Sequence, residues 1–250
     1  MPDPQTDSQH QLYEEEQYIA QYDRRAFDTP IITVDSVLFT YHEGHLKVLL
    51  VERFNHPDKG LWGLPGGFVD LARDATLEDT ALRKLREKTA VTPPYLEQLH
   101  TFGNNSRDKR SWSVTICYTA LIAYQDCAAH VSTVTDVKWV SLEDLEGMQL
   151  AFDHRSIIDH ARERLRQKAL YSIVPAYALP EKFSLPELQH LHEVLIGKPI
   201  QKKSFRRRIE QAELLIDTGE KRSDGSGRPA SLYRMKDTSG TYTFVRNLEG

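Results

Sequence analysis

The sequence predicts a two-domain α/β (α+β) chain whose second domain is a winged helix-turn-helix. Three observations predict it. Residues 30–150 alternate β-branched apolar runs with one amphipathic helix, as a mixed α/β layer requires. Residues 183–236 read as helix, short turn, basic helix and Gly-rich hairpin. The third is charge. Gly197–Lys236 holds eleven Lys and Arg against five Asp and Glu, a net +6, whereas the whole chain carries −4, so the remainder sums to −10. Such asymmetry suits a phosphate-binding module joined to an unrelated acidic domain.

At 250 residues the chain is long enough for two ordinary domains. No apolar run approaches the roughly 20 residues of a membrane span, and the polar start MPDPQTDSQHQ lacks the basic and apolar regions of a signal peptide. The two cysteines, Cys117 and Cys127, argue against a disulfide scaffold and against a zinc site. Ten histidines show no metal-ligand spacing. A cytoplasmic protein is expected, without membrane partners or cofactor. There are no repeats.

In order, residues 1–29 form a leader: 1–10 disordered, then Leu12–Tyr22 helical with few apolar positions, so it needs a partner surface on its own domain or across a dimer. Ile31–Thr40 and Leu46–Arg53 make a hairpin across a polar, Gly-containing turn. In Trp62-Gly-Leu-Pro-Gly-Gly-Phe-Val69 the paired glycines bring backbone close to something. Thr76 caps a helix to Thr89, with Asp79 at N3 and Leu77, Ala81, Leu85 and Thr89 on one face. His100–Gly103 and Ser113–Ala123 are strands around an exposed loop, Asn104–Trp112. Val137–Val140 is a further strand, followed by a short helix, Leu142–Leu145. Residues 151–182 connect the domains: Asp153 caps a helix with an Ile157, Ile158, Ala161, Leu165 stripe, and 172–182, with Pro175 and Pro180, form a stiff connection.

The last domain, 183–250, opens on Ser184-Leu-Pro-Glu187, a capping box. Leu188, Leu191, His192 and Leu195 line its first helix, which Gly197 stops. Phe205, Ile209, Ala212 and Leu215 or Ile216 line the second, leaving Lys202, Lys203, Arg206 and Arg207 to solvent. Glu220–Ser223 and Ser231–Met235 then frame a basic wing. A second helix of this kind enters the major groove of duplex DNA. Ser204, Arg206 and Arg207 are the expected base or close phosphate contacts, with Lys202, Lys203 and Arg208 as phosphate anchors. Arg222 lies on the wing, Arg228 suits a narrow minor groove, and Tyr233 bonds a phosphate or packs on the wing. An RNA adaptor is the other nucleic-acid reading, but no RNA-module signature is visible.

Leu64-Pro-Gly-Gly-Phe-Val69, with Leu82-Arg-Lys-Leu-Arg-Glu-Lys-Thr89 on the helix, resembles the Nudix box, whose helix gathers carboxylates that hold Mg²⁺ against a diphosphate. Aligned on Arg83, the first family glutamate falls on Lys84, the Glu-Glu pair becomes Glu87-Lys88, and the glycine becomes Ala90. The upstream glutamate falls on Ala75 counted back and on Arg73 counted forward, with Asp74 in neither register. Little or no hydrolysis is expected, with Lys84 and Lys88 replacing the metal's charge. A Nudix-like domain of this kind joined to a winged helix is similar to the NrtR family of Nudix-related regulators of NAD metabolism. Val51-Glu-Arg53, Arg107-Asp-Lys-Arg110, Ala151-Phe-Asp-His154, Ser204-Phe-Arg-Arg207 and Gly227-Arg-Pro-Ala-Ser-Leu-Tyr-Arg234 share in the similarity.

The resemblance implies a Nudix-like α/β/α sandwich with a mixed sheet. It implies a homodimeric repressor of NAD synthesis or salvage genes, bound to palindromic duplex DNA and released by ADP-ribose as effector. It places Arg53 at the ligand diphosphate and turns the loop with Arg107 and Arg110 toward the ligand. Glu87, Lys84 and Lys88 then belong to the ligand site. Phe68 stacks on the adenine, lies under the ribose, or is a core aromatic; Trp62 reads as core. Asp70 is a candidate for a ribose hydroxyl, and His154 reads as a residue in the first turn of its helix. The alternative is an active Nudix hydrolase, an ADP-ribose pyrophosphatase, with a C-terminal dimerisation extension and a metal cluster drawn from Glu87, Asp74, Glu78 and Asp79.

Overall fold

The computed structural model describes residues 4–127, 132–223 and 229–236. The chain divides into two units, 1–31 and 32–250. In the first, α1 spans Pro4–Gln21, so the helix begins well before the predicted Leu12. Its Leu12, Tyr13, Tyr18 and Ile19 are exposed.

The second unit opens on a sheet. The hairpin forms as expected from β1 (Ile31–His42) and β2 (His45–Arg53), antiparallel across Glu43-Gly44, both at positive φ. Short strands β3 (Trp62–Gly63) and β4 (Gly66–Phe68) pair with β2 and β1 respectively. Then come α2 (Leu77–Thr89), β5 (Tyr95–Asn104), β6 (Ser113–Leu121) and β7 (Val134–Ser141). The strand order is β3-β2-β1-β6-β5, with β4 beside β1 and β7 beside β2. β5 starts five residues before the predicted His100. Thr76 closes a full capping box on α2 with Asp79.

Both faces of the sheet are covered, because β1 and β2 are apolar at successive positions. Val37, Phe39, Val48 and Leu50 face α3 (His154–Tyr171), meeting Ile157, Ile158, Ala161 and Leu165. Leu38, Leu49 and Val51 point the other way, onto Leu85 of α2. Asp153 precedes α3 but does not cap it with its side chain, which accepts from Arg107 instead.

Residues 172–182 are not a solvent-spanning connection. Val174–Ala178 forms a 3-10 turn with Pro175 at its start, and Ile173, Val174, Ala176, Ala178 and Leu179 are buried. Burial of that apolar sequence outweighed the linker reading drawn from its prolines. The core therefore runs on from the sheet through α3 into α4 (Leu185–Ile196) and α5 (Lys202–Ala212), where Leu188, Leu191, Phe205 and Ile209 join it. A three-stranded sheet, β8 (Phe183–Ser184), β10 (Ala230–Met235) and β9 (Leu215–Arg222), completes the module. α5 ends at Ala212, since Glu213 turns left-handed at φ 52°; Leu215 and Ile216, expected on the helix, belong to β9.

Candidate functional site

A cavity of about 370 Å³ opens where β1, β4, α2 and α3 meet. Its glycines are there for contact. The backbone of Gly66 lies against β1 so closely that a Cβ would sit 1.9 Å from Asp35 Oδ1. A Cβ on Gly67 would sit 3.2 Å from Lys84 Cε, so the β4 backbone bears on the lysine stem. Phe68 stands over the opening, half exposed.

The wall is cationic. Arg53, Lys84, Lys88, Arg107 and Arg110 line it, against the carboxylates of Asp35 and Asp108. Asp108 is taken up by Arg110, Nη2 to Oδ2 at 2.7 Å, and the Arg110 guanidinium lies 5.4 Å from the Phe68 ring. Asp35 accepts from Thr115 Oγ1 at 2.7 Å. Arg53 donates to the Pro57 carbonyl at 3.0 Å and packs 4.5 Å over Phe152. Lys88 makes no hydrogen bond or ion pair among the described residues, and burial pushes its ammonium down to about 8.

Arg107 corrects the sequence reading. Its loop was expected to be exposed and ligand-facing; the side chain lines the cavity but is buried. It forks onto Asp153, Nε to Oδ2 and Nη2 to Oδ1 both at 3.0 Å, and donates to Ser113 Oγ at 3.2 Å. The partner lies 46 residues away, and a buried guanidinium needs one. His154 follows Asp153 and is fully buried, accepting the Leu64 N–H at Nδ1 (2.9 Å). Burial holds its pKa below the usual imidazole range. Asp35, Phe152 and His154 are pocket residues that sequence reasoning missed. The available signal was a lone carboxylate inside the apolar run Ile31–Thr40.

Two expected ligand residues sit beside the cavity rather than on its wall. Asp70 Oδ1 accepts from the Ala72 N–H at 3.1 Å, closing a local turn. Glu87 is surrounded by cations: Arg83 Nη1, Lys84 Nζ and Arg73 Nη1 each lie 3.2 Å from its oxygens. Arg83 also grips Asp74 through Nε at 2.7 Å and through Nη2, which holds that carboxyl well below the usual range.

In the basic module, Ser184 and Glu187 form the predicted capping box, and Gly197 ends α4 at φ 79°. The turn to α5 is tied by Glu193, which accepts the Ile200 N–H at 2.8 Å, and by Gln189, which donates to the Ile200 carbonyl at 2.9 Å. Gln201 caps α5, accepting from the Ser204 N–H at 2.9 Å, so Ser204 sits in the first turn. Lys202, Lys203, Arg206 and Arg207 are exposed and Arg208 half-buried, while Phe205 and Ile209 hold the other face in the core. Arg222 pairs with Glu187 of the capping box, which draws it back toward α4. Tyr233 packs against the core on β10. Arg228 lies outside the described residues.

Residues 30–161 match the NUDIX domain family, and residues 175–235 match the NrtR DNA-binding winged helix domain. The chain is 40% identical over 235 residues to the ADPR responsive transcriptional repressor NtrR of Acinetobacter baylyi, with 94% of each covered. The chain belongs to the NrtR family. Two crystal structures of Shewanella oneidensis NrtR resemble it closely. The complex with a 27mer DNA has a TM-score of 0.81 at 66% identity, covering 86% of this chain and 98% of that one. The NUDIX domain complexed with ADP ribose has a TM-score of 0.60 at 62% identity, covering 60% and 98%.

The NrtR architecture here joins pocket and winged helix through α3. Its first turn carries His154, next to Asp153. Near its other end the Ala169 carbonyl lies 3.0 Å from His192 Nδ1 on α4, and His192 is buried against Phe205 of α5. Since a carbonyl only accepts, Nδ1 carries the proton. Burial lowers the His192 pKa to about 4. The unfolded chain therefore binds this proton first as pH falls. The contribution is intact above the unfolded value near 6.5 and is lost down to about 4, on the order of 3 kcal/mol in all. Urea unfolding of wild type and His192→Gln across that window checks it; equal slopes for the two would refute the assignment.

Proposed function

We propose that the chain is a ligand-controlled, DNA-binding transcriptional repressor of NAD biosynthesis or salvage genes, released from its operator by ADP-ribose. The observation that carries this is α3, which reaches both sites: His154 of its first turn lines the cationic cavity, next to Asp153, the partner of Arg107, and Ala169 meets His192 of the winged helix. A homodimer presents two α5 helices to successive major grooves of a palindrome, about 34 Å apart per turn. ADP-ribose binds the state whose helices are mis-spaced more tightly. By linkage, operator DNA weakens ADP-ribose binding by the same factor.

The properties of the relatives support the reading, since the Acinetobacter protein is named ADPR responsive and the Shewanella structures hold DNA and ADP ribose. The domain acts as a sensor and not a hydrolase. The Nudix fold implies a divalent metal, but the donor set here does not fit one. Glu87 and Asp74 are neutralised by arginines and lysines, and hard cations want several free oxygens.

The test is fluorescence anisotropy of palindromic duplex DNA from the gene neighbourhood, at one fixed salt concentration, with and without ADP-ribose. Selective binding that ADP-ribose abolishes is expected. Arg207→Ala should weaken operator binding by roughly 1–3 kcal/mol and leave ADP-ribose binding intact. Binding indifferent to ADP-ribose, or Mg²⁺-dependent release of AMP at a real turnover rate, would overturn the proposal.

A further inference from the structure

The pocket's cations are arranged for a particular task. Lys84 and Lys88 stand one helical turn apart on α2, so both stems project from the same face into the cavity. The Lys84 stem is held under the Gly67 backbone, and its Nζ lies 3.2 Å from Glu87 Oε2. That contact fixes the ammonium on the cavity wall. Lys88 lies one turn on, partly buried, with no hydrogen bond or ion pair among the described residues. A partly buried ammonium left in that condition is costly unless something arrives to pair with it.

The carboxylates nearby do not fill this role. Asp108 belongs to Arg110, and Asp35 is bonded to Thr115, with Arg107 Nη2 at 4.0 Å. Glu87 already faces three cations. The cavity thus has five cations and two engaged carboxylates on its wall, a surplus that repels a metal ion and attracts a dianion. Two ammonium groups bring the same +2 that a divalent cation would, on stems that reach the phosphate directly as point charges.

We propose that this pocket binds a pyrophosphate diester without any metal, Lys84 and Lys88 taking the two phosphates where Nudix enzymes place Mg²⁺. This rests on the sensor reading above and says how its ligand is held. Arg53 and Arg110, each over an aromatic ring at 4.5 Å and 5.4 Å, flank the diphosphate and select for an extended diester over a single phosphate. Binding is therefore insensitive to chelators. Free Mg²⁺ only competes, by screening the diphosphate in solution.

Isothermal titration of the full chain with ADP-ribose tests this, in EDTA and in millimolar Mg²⁺. The affinity in EDTA should match or exceed that in Mg²⁺. Lys84→Met and Lys88→Met should each lose about ten- to a hundredfold, as charged hydrogen bonds do. Lys88→Arg, which keeps the charge, should retain more of the affinity than Lys88→Met, and melting temperatures show whether each variant is folded. Binding that appears only with Mg²⁺ overturns the metal-free site and leaves the sensor standing. Binding in EDTA that neither Met substitution weakens also overturns it, because the phosphates then sit elsewhere. No ADP-ribose binding in either condition overturns both. The wild-type comparison needs no variant to fold.

Discussion

Gly66→Ala is expected to destabilise the chain by more than about 3 kcal/mol, the upper end for overpacking a buried site. The new methyl would lie 1.9 Å from Asp35 Oδ1, 2.5 Å from the Val34 carbonyl oxygen and 2.8 Å from Asp35 Cα. Two of those three atoms are backbone of β1, a central strand whose neighbours are buried. The side chain cannot swing aside, because Asp35 is held by Thr115 from the next strand. Relief requires β4 to part from β1, breaking the Asp35–Gly66 register that forms the floor of the pocket. ADP-ribose binding should fall with it. Gly147→Ala is the control: no atom lies within 4 Å of its Cβ position and its φ is ordinary, so it should be nearly neutral. Urea unfolding of both variants decides. A Gly66→Ala chain as stable as Gly147→Ala would mean that β4 does not approach β1 as described.

What the sequence made legible follows a physical line. Features set by neighbours within one turn were readable: the capping boxes at Thr76 and Ser184, the Gly197 stop, and the apolar stripe of α3. So was the need for close backbone contact at Gly66-Gly67, though not its partner. Features set across the fold were hidden. Nothing near Arg107 distinguishes a solvated loop from a buried fork, since Asp153 lies on another element. The end of α5 was misplaced because Leu215 and Ile216 continue its apolar period, while the break comes from Glu213 adopting φ 52°, which no glycine announces. At 172–182 the prolines drew attention from the stronger signal, the apolar density of Ile173, Val174, Ala176 and Leu179. The candidate site divides the same way. Its cations were visible through motif resemblance, but Asp35 and the role of His154 required the sheet and α3 to meet.

Asp153→Ala should separate stability from signalling. Removing the carboxylate leaves the buried Arg107 guanidinium with Ser113 at 3.2 Å and with Asp35 no nearer than 4.0 Å. An uncompensated buried charge of this kind costs about 3 kcal/mol, the lower end of the range because Asp153 itself is partly exposed. Asp153→Asn keeps one acceptor oxygen and should cost less than the alanine. Ligand binding should survive, since Lys84 and Lys88, which take the two phosphates in the proposal above, are untouched. Release of DNA should not survive intact. In wild type, the ligand's charge is expected to draw Arg107, which lines the cavity, away from Asp153; Asp153 immediately precedes α3, the helix that meets His192 of the DNA module. Without the pair there is nothing for the ligand to break, so the concentration of ADP-ribose that releases operator should rise relative to its measured dissociation constant. Titrating the same variant by calorimetry and by operator anisotropy gives both numbers. If release still tracks binding as in wild type, the first turn of α3 does not carry the signal. If Asp153→Ala is as stable as wild type, the Arg107 pair is no tighter than a surface contact.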